Sequence, residues 1–169
     1  TDPPELTITP FTETVERDEE HPKFRSLFEQ RVFLDIRERG YAVSPNVRTN
    51  GKEIDIVVLG AGNKLAVECD GVHYHNAETA AADAFRQTEL ERQGWEFFRI
   101  TDTEYYLNPN PLEALWAMLE ARNITPLGAA ACFKGGAENI TITPATDSSI
   151  YVDNREEQAT EVIHSCQAV

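Results

Sequence analysis

Two short runs of β-favouring residues carry acids inside them: Glu53-Ile-Asp55-Ile-Val-Val-Leu59 and Lys64-Leu-Ala-Val-Glu68-Cys-Asp70-Gly71. A charge inside an apolar strand costs on the order of several kcal/mol unless it is paired or bound to a cation. Strand alternation sharpens the constraint. Ala66, Glu68 and Asp70 share one face of the second run, and Leu65, Val67 and Cys69 the other. In the first run Asp55 shares the face of Val57 and Leu59, while Ile54, Ile56 and Val58 fill the opposite one. Apolar residues on both faces predict central strands. The linker Gly60-Ala-Gly62-Asn63 predicts an antiparallel hairpin, which brings Asp55 and Glu68 together. Two converging carboxylates on adjacent strands suit a hard divalent cation such as Mg²⁺ or Mn²⁺.

The neighbouring segments alternate between helix and strand signals. Pro22 suits the first turn of a helix, Phe24, Leu27, Phe28, Val32 and Ile36 recur at helical spacing, and Gly40 is a stop. Glu29 sits beside that apolar stripe. Tyr41 to Val43 and Asn46 to Arg48 predict a first strand interrupted at Pro45. After the hairpin, Ala77 to Gln93 predicts a second helix ending at Gly94, and Trp95 to Ile100 a fourth strand. Pro111 opens a third helix packed through Leu112, Leu115, Trp116 and Leu119. The order α-β-β-β-α-β-α predicts an α/β domain, a mixed four-stranded sheet flanked by helices.

Length and composition set the limits. At 169 residues the chain fits one domain with a real core. Residues 1–20, rich in Pro, Thr and Glu, are expected to be an acidic linker. Residues 21–122 hold the patterned core. Residues 123–169 are expected to be a C-terminal extension, with Thr141-Ile-Thr143 and Ser149 to Val152 as candidate short strands. No apolar run approaches a membrane span. The polar, acidic start does not resemble a signal peptide, and the absence of an initial Met suggests a processed or excised piece. Three well-separated cysteines without a CxxC argue against a disulfide framework or cysteine-rich zinc site, and favour a reducing, cytoplasmic setting. The net charge of −14 disfavours tight nonspecific DNA binding through phosphate contacts alone.

The full ordered string is more specific than any of its parts. Glu29 on a helix and Asp55 on a strand are followed by Val67-Glu-Cys-Asp-Gly-Val-His-Tyr-His75. Then come Asp83, Arg86-Gln87, Leu90-Glu-Arg-x-Gly-Trp95 and Arg99-Ile100. From about His21 to Arg122 the chain resembles the PD-(D/E)xK nuclease superfamily. More closely, it resembles the very-short-patch-repair-like branch, including the endonuclease domain found at the end of superfamily-one helicases. The resemblance implies a restriction-endonuclease-like core, DNA as the partner, and a helicase region of the same polypeptide as a further partner. It also implies site roles for Glu29, Asp55, Glu68, Asp70, His73, His75, Arg86 and Gln87, with metal held by Asp55, Glu68 and the Cys69 backbone carbonyl.

Each of these residues has a plainer reading. Asp55 is also placed to be a strand-end partner, and Asp70, before Gly71, to cap a turn. Glu29 is also an ordinary helix acid, and Cys69 a core residue. His73 and His75 are placed to hold a phosphate or shuttle a proton, or simply to begin the second helix. Arg86 either pairs with Asp83 on a solvated face or stabilises charge on a phosphate. The chain departs from the superfamily in one respect: Asp70 stands where the ExK pattern has Lys. That leaves open a non-catalytic nucleic-acid- or protein-binding module on a nuclease fold. An RNA-cutting nuclease is a third reading.

Overall fold

Two strands and a tight linker organise the structure. In a computed structural model, which describes residues 6–49, 51–71, 77–128, 131–135 and 140–144, they form the expected antiparallel hairpin. Among the described residues eleven elements follow in order: β1 (Leu6–Ile8), α1 (Leu27–Glu38), β2 (Ala42–Thr49), β3 (Lys52–Leu59), β4 (Lys64–Asp70), α2 (Ala77–Arg92), β5 (Phe97–Thr101), α3 (Asp102–Leu107), α4 (Glu113–Ala121), β6 (Ala131–Gly135) and β7 (Ile140–Pro144). A mixed four-stranded sheet runs β2-β3-β4-β5. Its first three strands are antiparallel, and β5 joins β4 in parallel after the crossover through α2. This is the expected fold class. The β3–β4 linker closes with Gly60 N–H donating to the Asn63 carbonyl at 2.8 Å. A Cβ on Gly60 would run into the Asn63 side-chain oxygen and press on Ile124, so a larger residue there would have to displace the Asn63 side chain.

The sheet is covered on both faces. On one, α1 and α4 bring Val32, Phe33, Ile36, Leu115 and Leu119 against Val43, Ile56, Val58, Leu65 and Val67. On the other, Leu90 of α2, Trp95, Ile8 and Leu127 pack with Ala42, Val57, Leu59 and Ala66. Among the described residues no helix is long and apolar enough to cross a membrane.

Several local expectations change. The first helix begins at Leu27, not near Pro22, because the Ser26 side chain accepts the Glu29 N–H at 3.1 Å and caps it. Pro45 does not interrupt its strand. It pairs with Ile56 inside β2, an edge strand, where a missing N–H is tolerated. Ile54 packs with Val57 and Leu59, not with Ile56 and Val58, so the side-chain alternation of β3 breaks at Asp55. A short helix, α3, follows β5 and is closed by a capping box between Thr101 and Glu104.

The stretch expected to be a linker carries structure. Leu6–Ile8 pair with β6, which pairs in turn with β7, giving a second, three-stranded sheet. Ile8 and Val15 are buried. The physical reason is that Ile8, Phe11 and Val15 supply apolar groups that the acidic composition obscures. Ile124 and Leu127, beyond the expected core boundary, are also buried in the two clusters. Thr141 to Thr143 lie in β7 as expected, while Ser149 to Val152 fall outside the described residues.

Gln30, a buried polar residue on α1, ties this N-terminal segment down. Its amide donates to the carbonyls of Glu16 and Glu19 and accepts the His21 N–H at 2.9 Å. Replacing it removes three hydrogen bonds to part-buried backbone groups, each worth on the order of 1 kcal/mol, and empties a buried side-chain position. Gln30→Ala is therefore expected to lower unfolding free energy by about 2–4 kcal/mol in urea denaturation. A loss below about 0.5 kcal/mol, the range of ordinary surface changes, would show that residues 16–21 are not held by this clamp.

Candidate active site

The β3–β4 ladder ends at the pair Ile56↔Val67, and one residue beyond it stand Asp55 and Glu68. Here the strands part. β3 continues with β2 as far as Lys52, and β4 continues with β5 as far as Asp70. The Cys69 N–H, no longer in the β3 ladder, donates to Asp55 Oδ2 at 2.9 Å. The third carboxylate comes from α1. Glu29 is the third residue after the Ser26 cap, the position where a capping-box acid turns back toward the helix start. Its Oε2 accepts the Arg25 N–H at 3.4 Å. Glu29, Asp55 and Glu68 are 3%, 6% and 3% exposed, which makes them the buried acids among the described residues.

Their surroundings do not neutralise them. Glu29 Oε1 and Glu68 Oε1 are buried without a hydrogen-bond partner. Burial, then the charge of Asp55, raises the Glu29 carboxyl to about 7. The same two causes raise Glu68 to about 8, although Arg86 opposes the rise. The Cys69 thiol is pushed well up by burial and by Asp55, Glu29, Glu68 and Asp70. It stays protonated and packs against the core, so only its backbone carbonyl suits a hard cation.

Arginines ring the acids. Arg86 Nη2 lies 3.3 Å from Glu68 Oε2, and its Nη1 donates to the Glu53 carbonyl at 3.2 Å. Arg86 thus pairs with Glu68, where the plainer reading had Asp83. Arg25 reaches Glu53 and lies 3.7 Å from Asp55 Oδ1. Asp70 does not join the three acids. Arg99 of β5 holds it in a two-point pair, at 3.0 and 2.8 Å. Gln87 accepts from Arg99 at 2.5 Å and donates to Glu91 at 2.6 Å, so it too belongs to the Arg99 group. His73 and His75 lie outside the described residues.

Sequence reasoning missed Arg25 and the pairing role of Arg99. A signal existed for Arg99, because a parallel β5 places it beside Glu68, diagonal to Asp70. Arg25 gave none, since it precedes a helix whose start was placed too early.

Two unpartnered buried oxygens and two carboxyls forced toward their neutral form describe a site short of positive charge. That donor set fits a hard divalent cation. Asp55, Glu68 and the Cys69 carbonyl are the groups that would hold it. Among the described residues, no group of three or more His, Cys, Asp or Glu side chains is arranged to hold a metal ion by itself. Mg²⁺ does not require one, because it keeps several waters and takes one or two carboxylates.

The raised carboxyls set a pH dependence. Glu29 and Glu68 titrate near 4.5 when unfolded and at about 7 and about 8 when folded. Across that window the folded state holds protons the unfolded chain has lost. Their contribution is full below 4.5 and is lost as pH rises toward 8. In metal-free urea denaturation the protein is expected to lose on the order of a few kcal/mol from this source between about pH 5 and 8. Glu68→Gln should flatten that decline. A variant with the same slope as the wild type would place the titration elsewhere.

Comparison with known proteins agrees with this architecture. A family model described as REase_MTES_1575, a restriction-endonuclease-like family, matches residues 28–119. No curated protein and no solved structure matches the chain. The match runs from α1 through the sheet to α4, taking in Glu29, Asp55, Glu68, Asp70, Arg86 and Arg99. The chain belongs to this restriction-endonuclease-like family.

Proposed function

We propose that this chain is a metal-dependent endonuclease domain that hydrolyses DNA phosphodiester bonds. The observation that carries the reading is the buried trio Glu29, Asp55 and Glu68, under-compensated in charge where β3 and β4 part. Bound there, a divalent cation supplies an acidified water and polarises a phosphoryl oxygen. The chain's own residues do the rest. Asp55, Glu68 and the Cys69 carbonyl hold the cation. Arg86, carried on α2 beside Glu68, faces charge that develops on the phosphate. Water oxygen bonds to phosphorus and the bond to one sugar oxygen breaks. One proton of the water goes to Glu29, which passes it on to the leaving oxygen, and the new phosphate keeps the other proton. Asp70 and Gln87 act through Arg99, which their side chains hold in place.

The wider setting follows from the ordered string Val67 to His75, with Arg86, Trp95 and Arg99. It supports a domain of a larger, cytoplasmic, helicase-type protein in DNA processing or defence against foreign DNA. On that resemblance His73 and His75, which lie outside the described residues, would hold a phosphate or shuttle a proton. A parent protein also answers the charge problem, since a chain of net charge −14 grips DNA weakly by itself. One observation favours the second reading, a binding module without catalysis: Asp70, at the Lys position of the superfamily, is tied to Arg99.

Nicking of supercoiled plasmid by the purified protein tests both. Cutting should require Mg²⁺ or Mn²⁺, be slow, and fall on the order of a hundredfold or more in Glu68→Ala. The variant should keep the wild-type circular dichroism spectrum. Undiminished cutting in EDTA, or by the variant, sinks the mechanism. A wild-type protein that binds DNA without metal and never cuts selects the binding module.

A further inference from the structure

Arg25 stands at the edge of the acid trio without belonging to the sheet. It precedes the Ser26 cap of α1, and its side chain is 59% exposed. It touches three of the local acids: its N–H meets Glu29 Oε2 at 3.4 Å, its guanidinium pairs with Glu53, and Nη1 lies 3.7 Å from Asp55 Oδ1. Arg86 is built differently. It is 26% exposed and held by Glu68 and the Glu53 carbonyl. Arg25 is thus the exposed counter-charge of the group, resting on the oxygen of Asp55 that Cys69 does not use.

We propose that Arg25 is a phosphate-binding residue stored on Glu53 and Asp55, which a divalent cation at Asp55 releases toward the phosphate of a bound DNA strand. The inference rests on the cation-site reading above. Cation and guanidinium compete for the same Asp55 oxygen, because two positive charges at one carboxylate repel. Once displaced, a partly exposed guanidinium suits a phosphate oxygen, which it meets with two parallel donors. Glu53 lies outside the buried trio and also receives Arg48 at 3.4 Å, so it is not left unpaired when Arg25 departs. The fold thereby couples cation binding to the appearance of a phosphate ligand, with one side chain serving both states.

Two binding measurements on the full chain test this. Mn²⁺ alone is titrated by electron paramagnetic resonance. A short fluorescein-labelled duplex is then titrated by anisotropy, with and without Ca²⁺. Arg25→Ala should bind Mn²⁺ about three- to tenfold more tightly than the wild type, the effect of removing one screened charge. In the wild type Ca²⁺ should strengthen duplex binding, a gain that Arg25→Ala loses and Arg25→Lys keeps in part. Mn²⁺ binding that Glu68→Gln abolishes but Arg25→Ala leaves unchanged overturns this proposal alone. So does a Ca²⁺ gain that survives Arg25→Ala. A wild type that binds no Mn²⁺, or binds it equally after Glu68→Gln, overturns the cation site and this proposal together.

Discussion

Burial of Glu29, Asp55 and Glu68 beside one another is the interaction on which the rest depends. Three acids inside a folded chain repel one another and lose hydration, and each effect opposes folding. The structure meets this only in part. The Cys69 N–H and Arg25 attend to Asp55, Arg86 attends to Glu68, and one oxygen each of Glu29 and Glu68 is left bare. A core selected only for stability would place apolar residues here, as it does two residues along at Val57 and Ala66. The excess negative charge, held in place by the surrounding apolar packing, is what the proposed cation would answer.

The parting of β3 from β4 converts that demand into a site. Had the ladder run on, Asp55 and Glu68 would be an ordinary cross-strand pair of like charges, a destabilising arrangement. Ending it at Ile56↔Val67 frees the Cys69 N–H and opens the strand ends between α1 and α2. The parallel addition of β5 makes this possible, since β4 keeps a hydrogen-bonding partner on its other side as far as Asp70. Topology and chemistry are thus one feature. The mixed sheet is what allows a central strand to lose one neighbour and stay ordered.

Much of this was legible in the sequence. Strand alternation and the Gly60 to Asn63 linker fixed the hairpin, and with it the meeting of Asp55 and Glu68. Helical periodicity located α1 and α4, because apolar stripes survive polar interruptions, and an Ala- and Glu-rich run stopped by Gly94 located α2. What escaped had few residues or distant partners. β1 is three residues in an acidic stretch, and its partner β6 lies near the far end of the described chain. Local pattern carries no trace of such a pairing. The break of alternation at Asp55 was hidden too, because the sequence on either side is uniformly apolar and either phase reads well. Pro45 misled for the opposite reason, since a strand-breaking residue is harmless on an edge.

Asp70 shows how a single substitution is misread when its partner is ignored. Set against the superfamily pattern, an acid in place of Lys removes a positive charge from the site. In the fold, that acid recruits Arg99 through two hydrogen bonds, and Gln87 braces the same guanidinium. Positive charge is present after all, delivered from β5 in place of β4, and beside Glu68 in the parallel register. An arginine so held is rigid and permanently charged, whereas a lysine on β4 would be flexible and able to lose its proton. The exchange trades a group that can move protons for one that can only stabilise charge. On the proposed mechanism proton movement falls to the carboxyls, and Glu29, buried beside Asp55 with an unpartnered oxygen, is the candidate to take the proton.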